Sequence, residues 1–211
     1  LYIDHHFSGE IPENDALTTH IDPSPDICTS LLVNNLLNGK YATWAICGAF
    51  GDNLHVPATE LSSSLNLSPA QAEILREVGE LINYNGYGSS IEDLHFDPEK
   101  LYREVSNYTD PFDFYSTSKV LKTLQKGYAE DMEHCLALMP LFPEEKNRVY
   151  QLPNEPWARR VSGVLANLKA REQEESAHAL ITSNDDDTWR ISVRAPLANK
   201  SNADTLCKSF P

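Results

Sequence analysis

Three consecutive residues, Asp4, His5 and His6, bring one carboxylate and two imidazoles together near the start of a 211-residue chain. Imidazole nitrogen combined with carboxylate oxygen suits Mn2+, Zn2+ or Fe2+ and needs no thiolate. Successive side chains of a regular strand point to opposite faces, so these three converge only where a strand ends and the backbone turns. Leu1-Tyr2-Ile3 reads as that strand, and the C-terminal tips of strands in open α/β sheets are where ligands bind. Spacing alone leaves two readings open, a divalent-metal site or a polar surface turn.

The elements around the tripeptide follow from pattern. Residues 7–24 are polar and proline-containing, a loop. Asp26 is placed to cap a helix from about Ile27, with Leu31, Leu32, Asn35 and Leu36 on its inner side and Gly39 at its end. Residues 41–50 are almost wholly apolar yet too short to span a membrane, the mark of a buried helix ending at Gly51-Asp52-Asn53. Ser68 followed by Pro69 predicts a helix start, with Ile74, Leu75, Val78, Leu81 and Ile82 at helical spacing. Residues 83–88, with Tyr84, Tyr87 and two glycines, break that helix. They read equally as a base-stacking, cleft-lining loop or as a turn with packed tyrosines. Pro98 opens a further helix, and residues 117–139 form a long amphipathic one stopped at Pro140. Pro143 and Pro153 mark a linker. Beyond it a helix from Pro156 to about Arg171 precedes strands over 177–182 and 189–193, joined by an acidic hairpin turn at 185–187, and a short helix from Ala203.

Composition narrows the function. Seventeen Lys and Arg against 31 Asp and Glu give a net charge of -14. Affinity for long nucleic acid comes from neutralising phosphates, so a long duplex or strand is disfavoured as a partner. No apolar run reaches the length of a membrane span, and the N-terminal residues lack the pattern of a signal peptide. Cys28, Cys47, Cys135 and Cys207 are scattered and form no close pair, as in a reduced, cytoplasmic protein. Both ends read as cut, so an internal fragment of a longer protein is expected.

Ile3-Asp4-His5-His6, then Thr19-His20-Ile21-Asp22-Pro23, Cys28-Thr29-Ser30-Leu31-Leu32 and Gly48-Ala49-Phe50-Gly51-Asp52-Asn53 occur in an order that closely resembles the DHH phosphoesterase superfamily. That group includes RecJ-like exonucleases, nano-RNA phosphatases, cyclic-dinucleotide phosphodiesterases and family II inorganic pyrophosphatases. Residues 156–211 resemble the start of its DHHA1 domain, with Arg190-Ile191-Ser192-Val193-Arg194 matching an S-x-R strand motif. The resemblance implies an α/β fold. Residues 1–60 would be the later half of a catalytic domain with a parallel sheet, residues 61–150 a helical segment and linker, and residues 151–211 a partial α/β DHHA1 domain.

The resemblance also implies roles. His5 matches a metal-ligating histidine, and Asp4 an acid that orients it or approaches the metal. His6 matches a residue facing the substrate phosphate, with Asp4 and His6 as the catalytic pair. Asp52 matches a metal-holding carboxylate, and Arg194 a cation that grips substrate phosphate. The implied activity is hydrolysis of a small phosphorylated or nucleotide substrate by water activated at two Mn2+ ions. A homodimer stands among the implied partners. Two departures matter. The family's Asp-x-Asp motif and isolated Asp before the tripeptide, and its glycine-rich loop after the S-x-R strand, have no counterpart in this sequence. Asp4, His5 and Asp52 alone fall short of a dinuclear site, so the fragment itself is expected to be inactive. An inactive nucleotide-binding or regulatory module of the same fold is the alternative.

Other candidates rank lower. His55 reads as a helix-surface residue, His20 as exposed or structural, and His134-Cys135 as packing on the long helix. Thr29 and Ser30 either cap a helix or bond the metal-bearing loop. Trp44 and Trp157 are expected in the core.

Overall fold

Serine or aspartate followed directly by proline opens three of the helices. Ser68, Asp97 and Asp110 each accept a backbone N–H of the first turn, from Gln71, Glu99 and Phe112. The prolines behind them lack an N–H at the one place where none is needed. At Ser68 the Gln71 side chain reaches back to the cap backbone, completing a capping box.

The computed structural model describes residues 1–184, 186 and 188–210. It is a mixed α/β protein. The elements in order are β1 (Tyr2–Asp4), β2 (Thr19–Ile21), α1 (Thr29–Leu36), α2 (Ala42–Gly51), α3 (His55–Ser64), α4 (Pro69–Tyr84), a 3-10 turn (Ile91–Asp93), α5 (Pro98–Val105), α6 (Pro111–Thr117), α7 (Lys119–Leu136), β3 (Arg148–Leu152), α8 (Pro156–Glu172), β4 (His178–Ser183), β5 (Trp189–Arg194) and α9 (Ala203–Cys207).

The chain forms two compact units. The first comprises residues 1–85 and 96–125, the second residues 86–95 and 126–211. These bounds differ from the divisions expected at 60 and 150: α4, α5 and α6 belong to the first unit together with α1–α3. The reason is packing. α2 is buried through Ala45, Ile46, Cys47, Ala49 and Phe50, and α4 lies against it through Leu75, Val78 and Leu81. The contact is close because Gly51 and Gly79 face each other's helices. A Cβ on Gly51 would lie 2.8 Å from the Gly79 carbonyl oxygen, and one on Gly79 would overlap the Cys47 carbonyl oxygen.

In the first unit β1 and β2 pair in parallel, Tyr2 with Thr19 and Asp4 with Ile21. Residues 5–18 form the crossover without a helix, so the expected loop over 7–24 contains a strand. The parallel pairing agrees with the expectation for this region. The helix expected from Ile27 starts later, at Thr29, and Asp26 does not cap it. At the end of α4, Asn85 is buried, and its carboxamide brackets the Phe96 backbone. Nδ2 donates to the Phe96 carbonyl at 2.8 Å, and the Phe96 N–H donates to Oδ1 at 3.0 Å.

In the second unit β4 is central, parallel to β3 and antiparallel to β5. α8 covers this sheet with Val161 and Leu165 buried. The linker expected between Pro143 and Pro153 is instead a strand with Tyr150 and Leu152 in the core; five residues between prolines were too short to read as alternation. Two buried ion pairs fasten α8. Arg159 makes a bidentate bond to Asp93 (Nε–Oδ2 2.7 Å, Nη2–Oδ1 2.6 Å), and Arg160 does the same to Asp131 (2.7 and 2.9 Å). The Arg159 guanidinium holds the Asp93 carboxyl well below the usual carboxylate range. The acidic turn at 185–187 lies partly outside the described residues. All four cysteines are free.

Candidate metal centre

Asp4 ends β1, and its carboxylate is organised by the turn that follows. Oδ1 accepts the His5 N–H at 2.7 Å, the His6 N–H at 3.2 Å and the His6 ring Nδ1–H at 2.9 Å, while Oδ2 accepts the Tyr2 hydroxyl at 2.8 Å. These bonds, the His6 ring first and Tyr2 next, hold the Asp4 carboxyl well below the usual carboxylate range and raise the Tyr2 hydroxyl. Bonding at Nδ1 leaves Nε2 of His6 as the nitrogen with the free lone pair. The His6 side chain is 74% exposed, so that lone pair faces solvent.

His5 lies between two helix ends. The backbone N–H of Thr29, the first residue of α1, donates to His5 Nδ1 at 3.2 Å, and the Thr29 hydroxyl lies 3.0 Å from the same nitrogen. No side chain caps α1 from its own N-cap residue, Cys28, so the imidazole fills that role. A backbone N–H can only donate, which makes Nδ1 the acceptor and places the proton of the neutral ring on Nε2. Nε2 lies 3.2 Å from Asp52 Oδ2. Asp52 is the C-cap of α2, where helix carbonyls make a carboxylate unfavourable unless a positive group stands opposite.

The structure thus brings together Asp4, His5 and His6, with ligand atoms all within 4.8 Å of one another, and sets Asp52 against His5. The His5 and His6 rings stack at 4.1 Å. Arg194 is on β5 in the second unit, where its Nε donates to Asn167 Oδ1 at 2.9 Å and its Nη1 to Ser192 Oγ at 3.2 Å.

Lower-ranked candidates fall out clearly. His20 is exposed on β2. His55 starts α3, packed on the Phe50 ring at 5.8 Å. His134 stacks on Trp157 at 5.2 Å, while Cys135 behind it is buried, its thiol pushed up to about 11 by burial. Trp44 and Trp157 are half-buried rather than core residues. Of the two tyrosines in 83–88, Tyr84 is fully buried and takes the packing role, and Tyr87 is exposed.

Of the two readings of Thr29, bonding to the loop after β1 is met by its hydroxyl, 3.0 Å from His5 Nδ1, whereas the bond from its backbone N–H was missed. No residue-type signal encodes it, since any non-proline residue offers the same N–H. Sequence reasoning also missed that His5 and Asp52 line a cavity of about 410 Å³ together with Trp44, Ile82, Asn83 and Val105. Among the described residues no helix is long and apolar enough to cross a membrane. Compared with known families, curated proteins and solved structures, the chain matches none.

Proposed function

We propose that Asp4, His5 and Asp52 hold a divalent cation, Mn2+ foremost, with His6 facing the substrate beside it, and that the site serves hydrolysis of a small phosphorylated or nucleotide substrate. The observation that carries this reading is the convergence of the Asp4, His5 and His6 ligand atoms within 4.8 Å at the end of β1. The donor chemistry fits the ion: one imidazole and two carboxylates, no thiolate; His5 would bind through Nε2 with its proton moved to Nδ1 and donated to the Thr29 hydroxyl, 3.0 Å away. Asp52 adds to the fit, because a cation offsets the repulsion between its carboxylate and the C-terminal carbonyls of α2. These residues fit one cation. A second, which the family resemblance implies, needs carboxylates beyond this cluster.

When bound, such a cation supplies Lewis-acid polarisation of phosphoryl oxygen and water. The chain's own groups do the rest. His6 holds Nδ1–H on Asp4 and presents Nε2, so it can take a proton from water or give one to a leaving oxygen, with Asp4 stabilising the imidazolium. Asp4 orients both histidines through one oxygen. His5 is held by α1, so its Nε2 and Asp52 share a fixed position. Arg194 is assigned to substrate phosphate on the resemblance alone.

A second reading draws on the His5–Asp52 bond: the two groups satisfy each other, as in a nucleotide-binding module without turnover. One set of experiments separates them. Mn2+ titration by calorimetry, with hydrolysis of a chromogenic phosphodiester by the full-length protein, is compared for wild type, His5→Ala, His6→Ala and Asp52→Ala. Metal affinity falls at least about tenfold in His5→Ala and Asp52→Ala, and turnover is lost in His6→Ala. Unchanged turnover in all three variants sinks the hydrolase assignment. Mn2+ binding without any turnover selects the module.

A further inference from the structure

A second cavity of the first unit lies where α3 ends and α4 begins, and it shares no lining residue with the cavity at His5 and Asp52. Its volume is about 390 Å³, within the range of about 300–1,000 Å³ common for small-molecule sites. Its two walls differ in what they offer a ligand.

α3 contributes three hydroxyls. Thr59, Ser62 and Ser63 stand at i, i+3 and i+4, so they share one face of the helix. Each spends its single hydrogen on α3 itself. Thr59 Oγ1 donates to the His55 carbonyl at 2.7 Å, Ser62 Oγ to the Ala58 carbonyl at 2.7 Å, and Ser63 Oγ to the Thr59 carbonyl at 2.8 Å. A hydroxyl carries one donor and two lone pairs, so these three retain acceptor capacity alone. Among the described residues no group donates to them. Ser62 is buried, at 3% exposure. The last turn of α3 also carries the negative end of its dipole, which favours a cation.

α4 brings Glu73 and Arg76 to the other wall. Arg76 Nη2 donates to Glu73 Oε1, and its Nε lies 3.9 Å from Glu80, so two carboxylates offset the one guanidinium. The start of α4 makes no seat for an anion: Pro69 has no N–H, and the Gln71 N–H is taken by Ser68. Phe50, Leu67, Pro69 and Ala72 complete the lining with apolar surface.

A primary ammonium on an aliphatic chain answers all of this. Its three N–H donors match the acceptor hydroxyls, its charge faces Glu73, and its chain lies on the apolar lining. A carboxylate or phosphate would set lone pairs against lone pairs. A quaternary ammonium has the charge but no N–H, and the O–H of an alcohol satisfies one acceptor only.

We infer that this cavity binds a small aliphatic primary amine, its ammonium held by Thr59, Ser62 and Ser63 with Glu73 opposite and its chain along Phe50 and Leu67. The site is separate from the proposed metal centre and stands or falls without it. Binding is measured by NMR titration of the isotope-labelled protein with 1,4-diaminobutane, tetramethylammonium, butyrate and Nα-acetyl-lysine amide. Wild type is compared with Thr59→Val, Ser63→Ala and Ala72→Leu, the last of which fills the cavity.

1,4-Diaminobutane shifts amide signals of α3 and α4 and binds at least about tenfold more tightly than tetramethylammonium or butyrate. Thr59→Val and Ser63→Ala each lower its affinity about tenfold, and Ala72→Leu abolishes binding, while melting temperature and Mn2+ affinity stay at wild-type values. Equal binding of tetramethylammonium overturns the inference, since it marks general attraction of cations to a chain of net charge -14. Preference for butyrate overturns it too, as does a diamine affinity unchanged in both hydroxyl variants. Tighter binding of Nα-acetyl-lysine amide than of the diamine overturns a free amine as the occupant. Should Thr59→Val alter folding, Ser63→Ala decides.

Discussion

Replacing Gly79 by alanine probes the contact on which the position of Asp52 depends. The new Cβ would overlap the Cys47 carbonyl oxygen and lie 2.8 Å from its carbonyl carbon and 3.0 Å from the Gly51 nitrogen. Ordinary contact begins at 3.4 Å, so the carbon alone demands a retreat of about 0.6 Å, and the oxygen demands more. All three atoms are backbone, so no rotamer change relieves them; α2 and α4 must part. Overpacking costs about 1–3 kcal/mol, and backbone overlap places this case at the upper end. Alanine returns about 1 kcal/mol through helix propensity. The net loss is about 2 kcal/mol, a fall of about 4–8 °C in Tm for a chain of this size. Because Asp52 follows Gly51 directly, parting the helices also moves its carboxylate from His5, and Mn2+ affinity falls. Gly163→Ala on α8 is the control: nothing lies within 4 Å of its Cβ among the described residues, so it gains about 1 kcal/mol. Calorimetric melting and Mn2+ titration read both effects. A Gly79→Ala protein as stable as wild type refutes the packing argument, and a destabilised one with unchanged Mn2+ affinity refutes the link to Asp52.

Two further perturbations concern the second unit. Asp93→Ala removes the carboxylate that Arg159 grips with two bonds and costs about 3–5 kcal/mol in chemical denaturation; a loss below 1 kcal/mol (about the value of an exposed pair) contradicts the burial of this bridge. Since the folded value of Asp93 lies below its ordinary 3.8, its contribution is complete above that value and lost as pH falls through the folded one, so the wild-type acid transition is shallower in the variant. His178 is buried, neither ring nitrogen has a well-formed hydrogen bond, and burial foremost lowers its pKa from 6.5. Its contribution is therefore present above pH 6.5 and lost as pH falls below it; His178→Phe flattens that slope between neutral and mildly acidic pH, and an unaltered slope in denaturation midpoints argues against the assignment.

The helices were largely legible because their signals are local. Ser68-Pro69, Pro98 and Pro156 state their starts, and the apolar run at 41–50 states its burial. The Asp-His-His cluster was legible for the same reason: one strand end carries it. What stayed hidden is non-local or too short. β3 makes sense only beside β4, some 30 positions later, and β2 spans three residues in a polar loop. Asp52 gained its place from a helix contact made by glycines, and the role of Thr29 lies in its backbone. By residue type Asn83 belongs to a helix-breaking stretch, yet it lies inside α4, and its position in a cavity wall depends on residues from three other helices. Residue type alone places Trp44 in the core; a tryptophan bonded at its nitrogen and half-buried has the same letter.

The Asn85–Phe96 bracket closes off residues 86–95, which belong to the second unit although the sequence on both sides belongs to the first. No single cut in the chain therefore separates the two units as intact pieces. A fragment beginning after residue 125 lacks Asp93, the anion that neutralises Arg159, and a fragment ending there carries the excursion without its helix. The two units cannot be exchanged between proteins by joining ends. Any protein engineering that moves one must carry a piece from the middle of the other.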